Sequence, residues 1–270
     1  MKFGVLGGDR RQAELAELLR RDGAEVVSYG LDGETAEEGR LKETLKAEVI
    51  VLPLPLSQKE GYLNCAGPAV PLAPLFSRLG RNQRIFAGQV KAAEWQLAER
   101  YGLLLEDYFL CEALTVTNAA ITAECALRLA MERRTLLGKK VLVLGYGRIG
   151  KILCHRLQGI GASVTAAARK AEDLAWIRAM GYGEMKFSSL AGKLCEFDLI
   201  YNTAPAPVLP PSLLKELKPD CLCIDLASLP GIDPAAAGEL TYLWARGLPG
   251  KMAPRTAAEA IRRTIYELLS

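Results

Sequence analysis

Apolar positions along the chain alternate between two registers: short β-type runs and longer stretches at helical spacing. Lys2 to Leu6, Glu25 to Tyr29, Val49 to Leu52, Arg84 to Ala87 and Leu103 to Leu105 read as strands. Between them, Arg10 to Arg20 and Lys91 to Arg100 read as helices. The stretch from Pro53 to Pro74 holds five prolines, which predicts loop with short helical pieces. A long helix is expected from Thr117 to about Arg134, bridging two domains. Four more strands follow, at 140–144, 163–168, 198–202 and 221–225, with helices between them. A last helix, Thr256 to Leu269, is expected to return and pack on the first domain.

Strands alternating with helices in both halves predict an α/β protein of two doubly wound parallel-sheet domains, with a cleft between them. The expected division is residues 1–117 plus 251–270 for a substrate or partner domain, and 118–250 for a dinucleotide-binding Rossmann domain.

The second domain carries the clearest chemistry. Val141-Leu-Val-Leu-Gly-Tyr-Gly-Arg-Ile-Gly150 is a strand entering a Gly-rich turn, and Lys151 to Leu157 continues as helix. Gly145 permits the tight turn, Gly147 lets backbone approach a pyrophosphate, and Gly150 allows close helix–strand packing. Gly145, Tyr146, Gly147, Arg148, Ile149 and Gly150 are therefore the expected phosphate-binding segment, aided by the helix dipole. An NAD-selective site usually ends its second strand in Asp or Glu. This chain has Arg169-Lys170 there, which favours NADP over NAD because a guanidinium grips a 2′-phosphate.

Ligands in open α/β sheets sit beyond the carboxyl ends of the strands. Thr203, Ala204 and Pro205 follow one such end, and Asp225 and Ala227 mark the next. These residues are expected beside the nicotinamide ribose, although ordinary loop packing explains small residues equally well. Gly7-Gly8-Asp9-Arg10-Arg11 closes the first strand of the other domain and suits phosphate or carboxylate capture. Gly247 to Thr256 reads as a second loop of this type, with Thr256 as helix N-cap and Lys251 and Arg255 as cations. Solvated surface charges are the plain alternative for all four basic residues. His155, the single histidine, falls inside a helix, so any general base would be another group or water.

Composition narrows the classes. Of 270 residues half are hydrophobic, enough for two cores. The formal charge of +3 and the lack of a long basic run argue against nucleic acid. No signal-peptide pattern and no apolar run of membrane-spanning length are seen, so a cytoplasmic location is expected. The seven cysteines are scattered and read as reduced thiols, with no metal site.

These motifs together give the chain a resemblance to the dipicolinate synthase A-chain family. The residues that carry it are Gly7 to Arg10, Asn118 to Glu124, Val143 to Gly150, Ala167 to Arg169, Ile200 to Pro205 and Ile224 to Ser228. Gly247 to Gly250 and Ala253 to Ala257 complete the set. The resemblance implies NADP-linked oxidation of dihydrodipicolinate to dipicolinate in the mother cell of a spore former. It also implies a partner, a flavoprotein-like B subunit, and a homo-oligomer is expected. A dicarboxylate substrate needs cations, for which Arg10, Arg11, Lys251 and Arg255 are the candidates. The chain departs from the family pattern at Ile121, Cys125, Leu229, Ile232 and Arg255; the family has Arg where Leu229 stands. The alternatives are a D-2-hydroxyacid or amino-acid dehydrogenase, and a non-catalytic dinucleotide-binding protein that supports a partner.

Overall fold

The central strands of the first sheet are buried on both faces, so the sheet packs against helices on either side. The computed structural model describes residues 1–31, 37–67, 69–238 and 240–270. They divide into two units, Met1–Asn118 with Pro249–Ser270, and Ala119–Leu248.

Unit 1 contains β1 (Lys2–Leu6), α1 (Arg10–Arg21), β2 (Glu25–Tyr29), α2 (Glu38–Thr44), β3 (Val49–Val51) and α3 (Leu72–Phe76). It continues through β4 (Arg84–Ala87), α4 (Ala92–Tyr101), β5 (Leu104–Asp107) and the start of α5 (Glu112–Met131). The strands are all parallel, in the order β2-β1-β3-β4-β5. Successive side chains of a strand face opposite ways, and the sheet uses both faces. Phe3, Val5, Val49, Val51 and Phe86 pack with Leu15, Leu18 and Leu19 of α1. Leu6, Ile50, Ile85 and Ala87 pack on the other side with Leu41, Leu72, Leu75 and Ala98.

Unit 2 holds the rest of α5, then β6 (Lys140–Leu144), α6 (Arg148–Gly159), β7 (Ser163–Ala168), α7 (Ala171–Ala179) and β8 (Gly183–Lys186). β9 (Leu199–Asn202), α8 (Pro211–Leu214), β10 (Leu222–Asp225) and β11 (Thr241–Trp244) follow. Its six parallel strands run β11-β10-β9-β6-β7-β8. Counted from β6, that is the 3-2-1-4-5-6 order of a Rossmann sheet, with its switch point between β6 and β9. The fold class expected of the chain is the one found.

Several local expectations are corrected. The long helix starts at Glu112 and ends at Met131, not Thr117 to Arg134. Its first turns are rich in β-branched residues, which read as non-helical, but the Thr115 and Thr117 hydroxyls donate back to the Glu112 and Ala113 carbonyls. The stretch Gly247 to Thr256 is not a loop: α9 (Leu248–Met252) occupies it, and α10 (Pro254–Leu269) begins before Thr256. Thr256 is therefore inside the helix, and Pro254, already fixed at a helical φ, starts it after Ala253. The weak apolar patterns of α2, β8 and β11 give no expectation of these elements.

α10 buries Ala257, Ala258, Ala260, Ile261, Thr264 and Ile265. It lies along α1, where Ile261 and Ile265 join the core of Leu15, Leu18 and Leu19. Among the described residues no helix is long and apolar enough to cross a membrane.

Candidate functional site

The Gly-rich turn after β6 has the shape a pyrophosphate needs. Gly145 has φ +98°, and a methyl group there would stand 2.6 Å from Thr203 Oγ1. Gly150 packs so closely that a methyl group would meet the Gly145 carbonyl oxygen at 2.2 Å. A side chain at Gly147 would meet nothing within 4 Å, so the backbone at the start of α6 faces open space. Gly147 is the N-cap and has no side chain to cover the first amides of α6. Such a helix start favours phosphate through its unpaired N–H groups and its dipole. The residues present therefore fit a dinucleotide.

The other residues of the turn divide by burial. Arg148 is exposed and Ile149 half-buried. Tyr146 is buried, its hydroxyl pushed up to about 12 by burial, and the Lys151 ammonium stands 5.6 Å from its ring centroid. Burial likewise holds the Cys154 thiol at about 12, so it stays protonated.

At the end of β7, Arg169 and Lys170 are both exposed. Lys170 pairs with Glu172 at 3.3 Å, while Arg169 makes no ion pair among the described residues. It stands at the position where an NAD-selective unit holds a carboxylate.

On the other side of the Gly-rich turn, Thr203 donates from both N and Oγ1 to the Leu144 carbonyl, at 2.8 and 3.0 Å. This ties the loop after β9 to the end of β6. Ala204 is half-buried and Pro205 exposed. Ala227 is buried, and Asp225 is wholly so. The Asp225 carboxylate accepts from Asn202 Nδ2 at 2.9 Å, Ala227 N at 3.0 Å, Gly231 N at 2.6 Å and Tyr242 Oη at 3.3 Å. Both its oxygens are engaged inside the unit.

In unit 1 the four basic residues differ sharply. Arg11 is buried: its Nε and Nη2 grip the Asp9 carboxylate at 2.9 and 2.8 Å, and Nη2 also donates to the Leu54 carbonyl at 2.6 Å. Arg255 pairs with Glu14 at 3.1 Å and Glu259 at 3.3 Å, and these carboxylates raise its pKa further. Both are structural cations of the unit. Arg10 and Lys251 are exposed, the first at the start of α1 and the second in α9.

Sequence reasoning missed two groups here. Gln12 is buried with both ends of its amide unpaired by any described group. Lys91 donates to Ser57 Oγ at 3.0 Å, and that hydroxyl in turn hydrogen-bonds the buried Glu94 carboxylate. A glutamine inside an otherwise charged helix start, and a serine in a proline-rich loop, give no periodic signal. Among the described residues no three His, Cys, Asp or Glu side chains gather to hold a metal ion.

Comparison with known proteins bears on both units. Residues 2–109 match the family model of the N-terminal domain of the dipicolinate synthase A chain. Residues 113–218 match the NAD-binding domain of D-isomer-specific 2-hydroxyacid dehydrogenases. The dipicolinate synthase A chain of Bacillus subtilis (strain 168) is 28% identical, covering 100% of this chain and 96% of its own. The chain is similar over its whole length to the dipicolinate synthase A-chain family. Two solved structures from that family point the same way. That from Bacillus halodurans superposes with TM-score 0.85 at 26% identity, covering 100% of this chain and 97% of its own. That from Bacillus subtilis gives 0.82 at 29%, covering 100% and 95%. The chain is thus dehydrogenase-like, with a unit of the nicotinamide-dinucleotide-binding type.

Proposed function

We propose that the chain is the NADP-dependent dehydrogenase component that oxidises dihydrodipicolinate to dipicolinate, the pyridine-2,6-dicarboxylate made in sporulation. The observation that carries the choice of cofactor is the exposed Arg169 at the end of β7, where a carboxylate would repel a 2′-phosphate. Gly145, Gly147 and Gly150 would admit the pyrophosphate, with the first amides of α6 facing it. Thr203, Ala204 and Pro205 would border the nicotinamide riboside. NADP supplies the hydride acceptor.

The chain's own part is to bind and orient. Arg10 and Lys251 are the exposed cations offered to the substrate's carboxylates, while Arg11 and Asp9 brace the loop that presents Arg10. Oxidation of the dihydro ring releases one hydride and one proton and yields an aromatic ring. That product is its own driving force, so alignment outweighs a strong base. The exposed position of His155 on α6 fits a reaction that uses no histidine base, and speaks against a hydroxyacid dehydrogenase that relies on one. A flavoprotein-like B subunit, a homo-oligomeric assembly and a cytoplasmic mother-cell location belong to the same reading.

The test is NADPH formation from dihydrodipicolinate by the purified chain, alone and with the B subunit. Turnover with NADP in either arrangement supports the proposal. Tight NADP binding without turnover in both would leave a supporting, non-catalytic role in its place.

A further inference from the structure

The Asp225 carboxylate is the most heavily hydrogen-bonded acid among the described residues of unit 2, and it lies beyond the segment matched by the dehydrogenase family model. Its four donors come from three places. Asn202 ends β9, Ala227 and Gly231 belong to the loop after β10, and Tyr242 sits on β11. Asn202 extends the network: its amide oxygen accepts from Ala204 N and its Nδ2 donates to the Ala204 carbonyl, both at 3.0 Å. Trp244 Nε1 donates to the Ala227 carbonyl at 3.1 Å. Gly231 is pressed against Asn202, where a methyl group would come within 2.3 Å of Nδ2. One buried charge therefore fixes two loops, 202–205 and 226–231, in a single arrangement.

A wholly buried carboxylate is costly unless donors surround it. Those loops stand at the carboxyl ends of β9 and β10. Arg169 stands at the end of β7, on the opposite side of the Gly-rich turn in the strand order. A dinucleotide whose pyrophosphate sits on that turn puts one nucleoside on each side. With the adenosine half toward Arg169, the nicotinamide half falls on the loops that Asp225 holds.

We propose that Asp225 is a positioning residue for the nicotinamide half of the cofactor, acting through the loops 202–205 and 226–231 without touching the cofactor itself. The proposal rests on the dinucleotide reading of unit 2. Asp225→Asn swaps one acceptor oxygen for a donor facing the Gly231 N–H or the Asn202 amide, so the two loops part. Gly231→Ala wedges the same pair apart while leaving Asp225 in place.

The experiment compares binding of NADPH with binding of 2′,5′-ADP, which carries only the adenosine half, by calorimetry on the full chain. Both variants should lose NADPH affinity by tenfold or more and keep 2′,5′-ADP affinity within twofold. The quenching of Trp244 fluorescence by NADPH, defined as the part lost in Trp244→Phe, should fall in both variants. Unchanged NADPH affinity in the two variants would overturn the proposal. So would a parallel loss of both ligands, which would make Asp225 a residue of the fold alone. If the unmutated chain binds neither these ligands nor NADH, the dinucleotide reading fails instead, and that outcome is separately visible.

Discussion

Arg169 is the exposed side chain on which the proposed choice of NADP over NAD turns. Charge-assisted hydrogen bonds are worth roughly 1.5–3 kcal/mol each, so their loss is felt as about ten- to a hundredfold in affinity. Arg169→Asp should weaken NADP by about a hundredfold and leave NAD near its starting value, as titration with each will show. Equal weakening of both would remove Arg169 from the site. Gln12 offers a different kind of test. An unpaired buried amide costs about 1–3 kcal/mol, and Met fills a similar volume without polar atoms. Gln12→Met should therefore stabilise unit 1 by about 1 kcal/mol, read as a higher midpoint in thermal unfolding. A lower midpoint would mean that the amide is paired in solution.

At the level of single elements, the strands that carry the candidate site are legible in the sequence because they are central and apolar. β1, β6 and β7 run over the bounds their patterns predict, since buried parallel strands read as continuous hydrophobic runs. β8 and β11 flank the sheet and are polar or half-exposed, so no run marks them. The Gly-rich turn is visible for a steric reason, because only glycine fits at 145 and 150. The roles of Asp225, Arg11 and Arg255 are not, because whether a charge is free or paired depends on partners far away in sequence. Glu14, for instance, meets Arg255 across 241 positions.

The paired ends of β6 and β9 give a pH-dependent element. Asp198 accepts from Lys218 Nζ at 2.7 Å and from Lys140 N at 2.9 Å, and the Lys218 hydrogen bond holds its carboxyl below the usual range. A lowered carboxyl pKa stabilises the fold at pH above the unfolded value and loses that contribution as the pH falls through the acid range. Asp198→Asn should thus lower the stability of unit 2 by at most about 1 kcal/mol at neutral pH. Below about pH 4 the difference should shrink and then vanish, as urea unfolding at a series of pH values will record.

For the molecule as a whole, two units with separate cores should respond separately to the cofactor. A ligand at a hundredfold excess over its Kd stabilises the state it binds by about 2.7 kcal/mol. With NADP at that level, amide-exchange protection should rise most within 119–248 and least within 1–118. Uniform protection would instead mark the chain as one cooperative block. The placement of α10 has a consequence for how the protein is made. Unit 1 needs residues 249–270 for its core, yet these are synthesised only after all of unit 2. The earlier unit therefore waits for its last element, with the side of α1 that α10 covers left open until residues 249–270 are made. Chains that end before residue 254 should be the species that chaperones hold longest, because the half made first is completed by the segment made last.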